Sequence, residues 1–280
     1  MPAIDHGFKM IARTTGRALA RVAGVDCDDW KPIESTLQAT TERLADRVFQ
    51  ARHGPEKFVV YMEFATTWNR AIPWSLLNKS ALLAERERLP VINLLYILSR
   101  RGYTRQEGTL KLSVANRPTQ QVWFEEIKLW EVKPETWWDN EPGLMAILPL
   151  FRNQQPAEVV VSHAARRIEV AEIDSARKAD YLSILGFMGK LAFPLLDIVK
   201  LIGRTNMEES PFYAEVMQFG AVNARRDDTL RILAKRFGAR PAAKVRKLMT
   251  PIENIDDLDR LFYLALDCES INQFKEQIAG

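Results

Sequence analysis

Cysteine is scarce in this sequence, which contains only Cys27 and Cys268 among its 280 residues. The two lie far apart and form no CxxC pair, so a disulfide framework and a cysteine-based zinc cluster are both excluded. Free cysteines suit a reducing compartment, and we therefore expect a cytoplasmic protein.

Long apolar runs are also lacking. The most apolar long window, residues 181–202, is interrupted by Lys190, Pro194 and Asp197, and the N-terminus has no apolar signal core. Because a membrane-spanning helix needs about 20 consecutive apolar residues, this window predicts buried helices instead. We expect no membrane partner.

Several familiar catalytic motifs are missing as well. The three histidines are scattered without an HExxH motif, and neither a Walker loop nor a dinucleotide-binding glycine loop is present. No serine or cysteine stands in a nucleophile motif. The charge is nearly balanced, with 39 basic and 36 acidic residues, so the total charge alone gives little support for a nucleic-acid partner.

The sequence does have enough apolar residues for a core, at 47% of the chain. Helical spacing covers the first fifty residues, through Leu37, Leu44 and Val48. Strand patterns then begin, at residues 46–52 and 57–65, on either side of a hairpin-like connector. The chain therefore turns from helix to strand near its fiftieth residue.

A helix started by proline is predicted for residues 73–89, followed by a buried strand at 91–99. This gives the order β-β-α-β. Two more strand-like runs cover residues 108–115 and 120–132, and from about residue 155 the pattern is helical. Pattern alone thus predicts an α/β fold with a helical C-terminal region.

Glu63 interrupts the apolar strand 57–65, where an unpaired charge is costly to bury. If Arg52 pairs with Lys57 across the connector, and each further pair steps outward by one residue, Asp46 faces Glu63. Directly opposed side chains have Cβ atoms roughly 4.5–5.5 Å apart, close enough for two carboxylates to bind one ion. A slip of one residue would turn the two acids to opposite faces.

Two carboxylates this close repel each other. At about 4 Å and an effective dielectric near 20, the repulsion costs on the order of 4 kcal/mol. A divalent cation, a lysine or arginine, or a shared proton is needed to neutralise it. Mg²⁺, which takes oxygen ligands and keeps several waters, would fit, as would Mn²⁺. The structural alternative is a half-solvated strand glutamate beside a capping aspartate, with no ligand.

The stretches LADRVFQARHGPEKFVVYMEFATTW and IPWSLLNKSALLAERERLPV, with the later IKLWEV, resemble the Rpn family of recombination-promoting nucleases and transposases. This family belongs to the PD-(D/E)XK nuclease superfamily. The resemblance extends from DHGFKMI through MEESPFYAEVMQFG and LRILAKRFGARP to LDRLFYLALDCESINQF. It implies a restriction-endonuclease-like core over residues 1–150, with a mixed central sheet flanked by helices, and a helical C-terminal region over residues 151–280.

The resemblance also implies roles for the two acids. In that superfamily an aspartate at a strand start and an acid on the second strand hold Mg²⁺, which activates a water for attack on phosphorus. Asp46 and Glu63 match those positions. An acid from the first helix often completes the site, for which Asp5 is the nearest candidate and Glu34 and Glu42 are weaker ones.

Ala65 departs from the family pattern, in which glutamine or lysine usually stands two residues after the strand acid. A methyl group cannot orient water. Related nucleases sometimes supply the missing cation from the following helix, and Lys79 stands where the relatives tend to have an aromatic residue. We hypothesise that Lys79 reaches the site and is catalytic; an ordinary exposed helical lysine is the alternative.

A basic segment lies near the C-terminus, where nine basic residues stand against two acidic ones between Arg225 and Lys247. This excess predicts a phosphate-contacting surface with salt-dependent affinity for DNA. A solvated helical face is the alternative interpretation. The residues assigned to DNA contact are Arg231, Lys235, Arg236, Lys244 and Arg246.

The sequence thus predicts a metal-dependent DNA endonuclease that serves recombination or transposition. Two other classes stay open. One is a catalytically degenerate nuclease fold that acts as a DNA-binding or protein-interaction module, and the other is a structural oligomer whose acids are surface residues. We expect the helical region to bind DNA or to self-associate as a homo-oligomer.

Overall fold

The described residues form nine strands and ten helices. The computed structural model describes residues 2–33, 36–37, 43–44, 46–100, 102–104, 108–114, 117–203 and 210–279. Within these ranges the chain divides into two compact units, residues 1–210 and residues 211–280. The first unit therefore includes helices that the sequence placed beyond its boundary at residue 150.

The strands of the first unit are numbered in chain order. They are β1 (Asp29–Pro32), β2 (Thr36–Leu37), β3 (Arg43–Leu44), β4 (Arg47–His53), β5 (Glu56–Ala65), β6 (Val91–Ile97), β7 (Thr109–Val114), β8 (Arg117–Trp123) and β9 (Glu125–Lys128). Five of them form a mixed sheet in the order β1-β4-β5-β6-β9, and the other four form two separate two-stranded ladders.

The helices of the first unit are also numbered in chain order. They are α1 (Pro2–Val22), α2 (Ile72–Glu87), α3 (Pro142–Ile147), α4 (Ala157–Val170), α5 (Ser175–Ala192) and α6 (Ile198–Ile202). Short 3-10 turns lie at Leu129–Glu131, Thr136–Asn140 and Leu148–Leu150. The unit is therefore α/β with a mixed sheet, as the pattern predicted.

The β4–β5 hairpin has the predicted register. Arg52 pairs with Lys57, and the ladder continues to the pair Arg47–Met62. The connecting turn passes through Gly54, whose φ of 57° is readily adopted by glycine. β5 then pairs in parallel with β6, and α2 makes the crossover between these two strands.

Helices cover both faces of the sheet. On one face, the Phe64 ring packs 5.3 Å from the rings of Phe8 in α1 and of Tyr96 in β6, measured between centroids. On the other face, Val59 and Tyr61 of β5 and Leu95 and Ile97 of β6 share a core cluster with Leu76 and Leu83 of α2. Because side chains alternate along a strand, Glu63 shares the α2 face with Tyr61.

Two predicted elements were wrong. Leu37, Leu44 and Val48 lie in β2, β3 and β4 instead of a helix, because three widely spaced apolar residues fit either period and pairing between strands decided the outcome. The run 120–132 is two strands with a break at Phe124. The Phe124 amide donates to the Gly108 carbonyl at 2.9 Å, and its ring stacks 6.3 Å from that of Trp68 in the core.

The second unit consists of four helices. They are α7 (Pro211–Phe237), α8 (Ala239–Met249), α9 (Ile255–Asp267) and α10 (Ile271–Ala279). Their core includes the fully buried side chains of Leu233, Val245, Met249, Leu258 and Phe274. The C-terminal region is therefore helical, as predicted. In the part of the chain that the structure describes, we find no helix with the length and hydropathy needed to cross a bilayer.

Candidate active site

The two predicted acids lie together at one end of the β4–β5 ladder. Asp46 directly precedes β4, and Glu63 stands two residues before the end of β5. Since the last described pair is Arg47 with Met62, the next step outward places Asp46 opposite Glu63. The hairpin therefore creates the predicted juxtaposition of carboxylates.

The Asp46 side chain is held on both of its oxygens. Oδ2 accepts a hydrogen bond from the backbone amide of Phe64 at 2.9 Å, which continues the ladder where backbone pairing ends. Oδ1 lies 2.9 Å from Nζ of Lys9, a residue of α1. Only 14% of the Asp46 side chain is exposed, so Lys9 supplies positive charge to a carboxylate that water reaches poorly.

Glu63 is paired with Lys79 of α2. Nζ of Lys79 lies 3.0 Å from Oε1 and 2.9 Å from Oε2 of Glu63, and the two side chains are 11% and 15% exposed, respectively. The hypothesised reach of Lys79 to the acids is therefore present in the structure. The alternative of an exposed helical lysine is wrong because the residue is buried.

The sequence of α2 explains why Lys79 points inward. Ile72, Leu76, Lys79 and Leu83 are buried and follow one another at intervals of four, three and four residues, which places them on one face of the helix. The three apolar side chains pack against the sheet. Lys79 is carried with them toward Glu63, and its Nζ lies 5.8 Å from the centroid of the Tyr61 ring.

Tyr61 and Lys9 belong to the site, although the sequence interpretation did not include them. The Tyr61 hydroxyl donates a hydrogen bond to Oε2 of Glu63. Burial, and then the negative charge of Glu63, raise the pKa of Tyr61 well above its usual range, so it stays a donor. Its position two residues before Glu63 was a usable signal. Lys9 carried no such signal, because it reaches the site from another element.

The electrostatics of Glu63 are set by opposing neighbours. Burial raises the pKa of the Glu63 carboxyl above its usual value, and the nearby Asp46 charge raises it further. The Lys79 charge and the hydrogen bonds from Tyr61 and Lys79 oppose this shift. The predicted repulsion is thus offset by two lysines, one from α1 and one from α2.

The structure describes only two acidic residues at this point. Glu34, Glu42 and the side chain of Asp5 lie outside the described part of the chain. Among the described side chains, no group of three or more acids, histidines or cysteines has a metal-binding arrangement. Ala65 is half-buried on the α2 face and packs against the core cluster, so it supplies no polar atom.

The residues assigned to DNA contact have unequal environments in the second unit. Arg231 pairs with Asp228 at 3.0 Å, and Arg246 pairs with Asp227 at 3.1 Å. Arg236 donates to the Ala265 carbonyl at 2.7 Å. These three arginines are therefore already engaged within the unit.

Four exposed residues form what we call the basic face. Lys235 lies in the last turn of α7, while Arg240, Lys244 and Lys247 lie on α8 at intervals of four and three, away from buried Val245 and Met249. No ion pair to a described residue engages any of the four. Two of them, Lys235 and Lys244, belong to the predicted DNA-contact set.

Comparison of this chain with protein-family models, with curated proteins and with solved structures found no match. A functional assignment therefore rests on the side chains of the site. These side chains are the two acids, the two lysines and Tyr61.

The coupling between Asp46 and Glu63 can be measured directly. We expect Asp46→Asn to lower the pKa of the Glu63 carboxyl, because the removed charge raises it, and Lys79→Met to raise that pKa further, because the removed charge lowers it. A ¹³C NMR titration of side-chain carboxyls reports both shifts. Glu56→Gln, an exposed acid at the start of β5, serves as the control and should leave Glu63 unchanged.

The raised pKa also has a consequence for stability. The folded state holds the Glu63 proton to higher pH than the unfolded state does. The contribution of Glu63 to the free energy of unfolding is therefore greatest below its unfolded pKa, and it is lost as the pH rises through its raised folded pKa. In the NMR titration, the same Glu63 pKa in the wild type, Asp46→Asn and Lys79→Met would contradict the coupling between Asp46 and Glu63.

Proposed function

We propose that the protein is a metal-dependent DNA endonuclease that hydrolyses phosphodiester bonds at Asp46, Glu63 and Lys79, in a recombination or transposition system. The observation that carries the proposal is the buried Glu63–Lys79 ion pair, with contacts of 2.9 and 3.0 Å, opposite Asp46 at the end of the hairpin. A lysine brought to paired acids supplies groups that metal-dependent phosphodiester hydrolysis can use.

The topology agrees with a restriction-endonuclease-like core. The chain passes from β4 to β5, through α2, to β6, which is the β-β-α-β order that the sequence pattern predicted. β4 and β5 are antiparallel, and β5 and β6 are parallel. This connection places α2 on the face of β5 that carries Glu63, so the helix can supply the cation that Ala65 does not.

The donor chemistry fits Mg²⁺ or Mn²⁺. Oδ1 of Asp46 lies against Lys9, and both oxygens of Glu63 lie against Lys79, so each acid would offer one oxygen to such an ion if its ammonium partner moved aside. With two protein carboxylates, the remaining ligands would be waters and substrate phosphate. When bound, the ion lowers the pKa of a water and offsets charge on the leaving oxygen.

The lysine has a distinct task. Its ammonium group carries three donors, so Lys79 can keep one Glu63 oxygen and also donate to a water or a phosphate oxygen at the site. In a partly buried position that charge acts at short range with little screening. Lys79 would thereby replace the glutamine or lysine of the family pattern, and Tyr61 would hold Glu63 in place.

A second candidate is a degenerate nuclease fold that binds DNA or a protein without cutting. Every carboxylate oxygen of Asp46 and Glu63 already has a protein donor, so the pair is neutralised without an ion. Ala65 adds no polar group. Uptake of a divalent ion without cleavage would favour this candidate.

DNA is the partner that the proposed chemistry requires. The basic face presents four cationic side chains on an exposed surface of the second unit. Such groups bind phosphates without reading sequence, and their contribution falls with salt. We propose that this face, rather than the full predicted set, makes the phosphate contacts of the helical region.

Plasmid nicking in Mg²⁺ or Mn²⁺ tests the catalytic assignment. We expect Asp46→Asn, Glu63→Gln and Lys79→Ala each to lower the nicking rate by about 100-fold or more, since each removes a group that acts at the reacting phosphate. Glu56→Gln and Lys57→Ala, exposed residues at the other end of β5, should retain the wild-type rate. Unfolding curves of all variants report whether the fold is kept.

Nicking that survives in the three site variants would contradict the assignment. A wild-type chain that binds the ion and duplex DNA but never nicks would favour the degenerate module.

Duplex binding at several salt concentrations tests the basic face. Replacing Lys235, Arg240, Lys244 and Lys247 with glutamine should weaken binding and make the slope of log K against log salt shallower by about 0.9 per lost phosphate contact. A matched control replaces four exposed basic residues of the first unit, namely Lys57, Arg70, Arg117 and Arg166. Equal slopes in the two quadruple variants would rule out a specific role for the face.

A further inference from the structure

A cleft of about 460 Å³ runs along α1 in the first unit. Its walls come from α1, from the segment around β1, from β4 and from the 3-10 turn at Thr136–Asn140. The residues that give it chemical character are Arg13, Arg17, Arg21, Trp30, Phe49 and Trp137. None of them belongs to the Asp46–Glu63 pair.

Three arginines line the cleft, at intervals of four residues along α1. Arg13 is exposed and pairs with no described residue. Arg17 uses one terminal nitrogen to donate to the Cys27 carbonyl at 2.7 Å, and its guanidinium group carries further N–H donors. A break in helical geometry at Thr15, with φ of −123° and ψ of 17°, falls between them, yet both residues line the same cleft.

The cleft also has aromatic walls. Trp30 stacks on Phe49 with ring centroids 4.5 Å apart and planes 27° apart. Gly16 makes room for this stack, because a Cβ there would lie 2.7 Å from Cζ of Phe49. On the other side, the guanidinium carbon of Arg21 lies 4.6 Å from the centroid of the Trp137 ring. Half-buried indole faces thus stand beside the arginines.

Two acids share the lining, Asp26 and Glu141. An Asp26 oxygen accepts from the Cys27 amide at 3.0 Å. Burial raises the pKa of Glu141, while the charge of Arg21 opposes the shift. Three arginines against two carboxylates leave a positive excess, and the carboxylates can accept hydrogen bonds from base amines.

The arginine row leads toward the proposed active site. Lys9, which bonds Asp46 at 2.9 Å, precedes Arg13 by the same four-residue step, and both lie before the break at Thr15. Four residues of helix rise about 6 Å. The cationic groups that begin at the acids therefore continue along α1 into the cleft.

We infer that this cleft binds a single strand of nucleic acid, with Arg13, Arg17 and Arg21 on its phosphates and Trp30 and Trp137 stacked on its bases. A basic groove with aromatic platforms is the arrangement that binds single strands without sequence preference. The inference gives the proposed nuclease a site for one strand of its DNA and rests on that function for its purpose. Binding itself needs neither the ion nor cleavage.

Fluorescence anisotropy of a labelled 12-nucleotide DNA strand, with the full chain in EDTA, tests the inference. We expect Arg13→Gln and Arg21→Gln each to weaken binding several-fold and to make the salt slope shallower by about 0.7 per lost phosphate contact. Trp30→Leu should weaken binding while leaving the slope unchanged, because stacking releases no counterions. Arg166→Gln, an exposed arginine of α4, should match the wild type.

Three results would overturn the inference. The wild type could fail to bind the strand, or Arg13→Gln and Arg21→Gln could bind it as tightly as Arg166→Gln does. The third is a duplex that binds more tightly than the strand and loses as much affinity in the two arginine variants. Displacement of the strand by an equimolar mononucleotide would assign the cleft to free nucleotides and would also overturn it. Because binding is measured without a divalent ion, strand binding in EDTA combined with no nicking in Mg²⁺ or Mn²⁺ contradicts only the proposed function. If the wild type nicks DNA and the arginine variants bind the strand as tightly as the wild type does, only this inference is contradicted.

Discussion

The site depends on the neutralisation of two poorly solvated carboxylates by two lysines. Asp46 and Glu63 are brought together by the hairpin register, and Lys9 and Lys79 approach them from helices on opposite faces of the sheet. Removal of one partner of a buried pair typically costs about 3–5 kcal/mol. The positions of α1 and α2 along the sheet are therefore coupled to the charge balance of the site. Tyr61 holds Glu63 in place with a hydrogen bond.

The same balance is compatible with the proposed reaction. Ammonium groups on flexible stems hold the acids in place and can be exchanged, whereas the Phe64 amide is a fixed donor that sets the orientation of Asp46. Ala65 packs against the core cluster on the α2 face and adds no polar atom to β5. Lys79 thus gives the site its cation through packing of its neighbours Leu76 and Leu83, not through the strand motif.

Local pattern was sufficient for the hairpin and for α2. Alternation along 57–65 and the tight turn at Gly54 are short-range signals, and they set the register that brings Asp46 opposite Glu63. The spacing of the α2 apolar face predicted that helix, whereas the contact of Lys79 with Glu63 was a hypothesis from the family resemblance, with an exposed lysine as its alternative. The role of Lys9 depends on packing between α1 and the sheet, which no spacing in the sequence encodes. Leu37 and Leu44 followed strand pairing, which overrode a weak helical pattern, and the break at Phe124 arose because that ring is buried in the core.

Binding of Mn²⁺ to the full chain, followed by electron paramagnetic resonance, tests most directly whether the acids can exchange lysine for a metal ion. We predict one saturable ion per chain, loss of that ion in Asp46→Asn, and tighter binding in Lys9→Met, because the lysine and the ion compete for the same oxygen of Asp46. The absence of a saturable site in the wild type would contradict the account. So would weaker binding in a folded Lys9→Met variant.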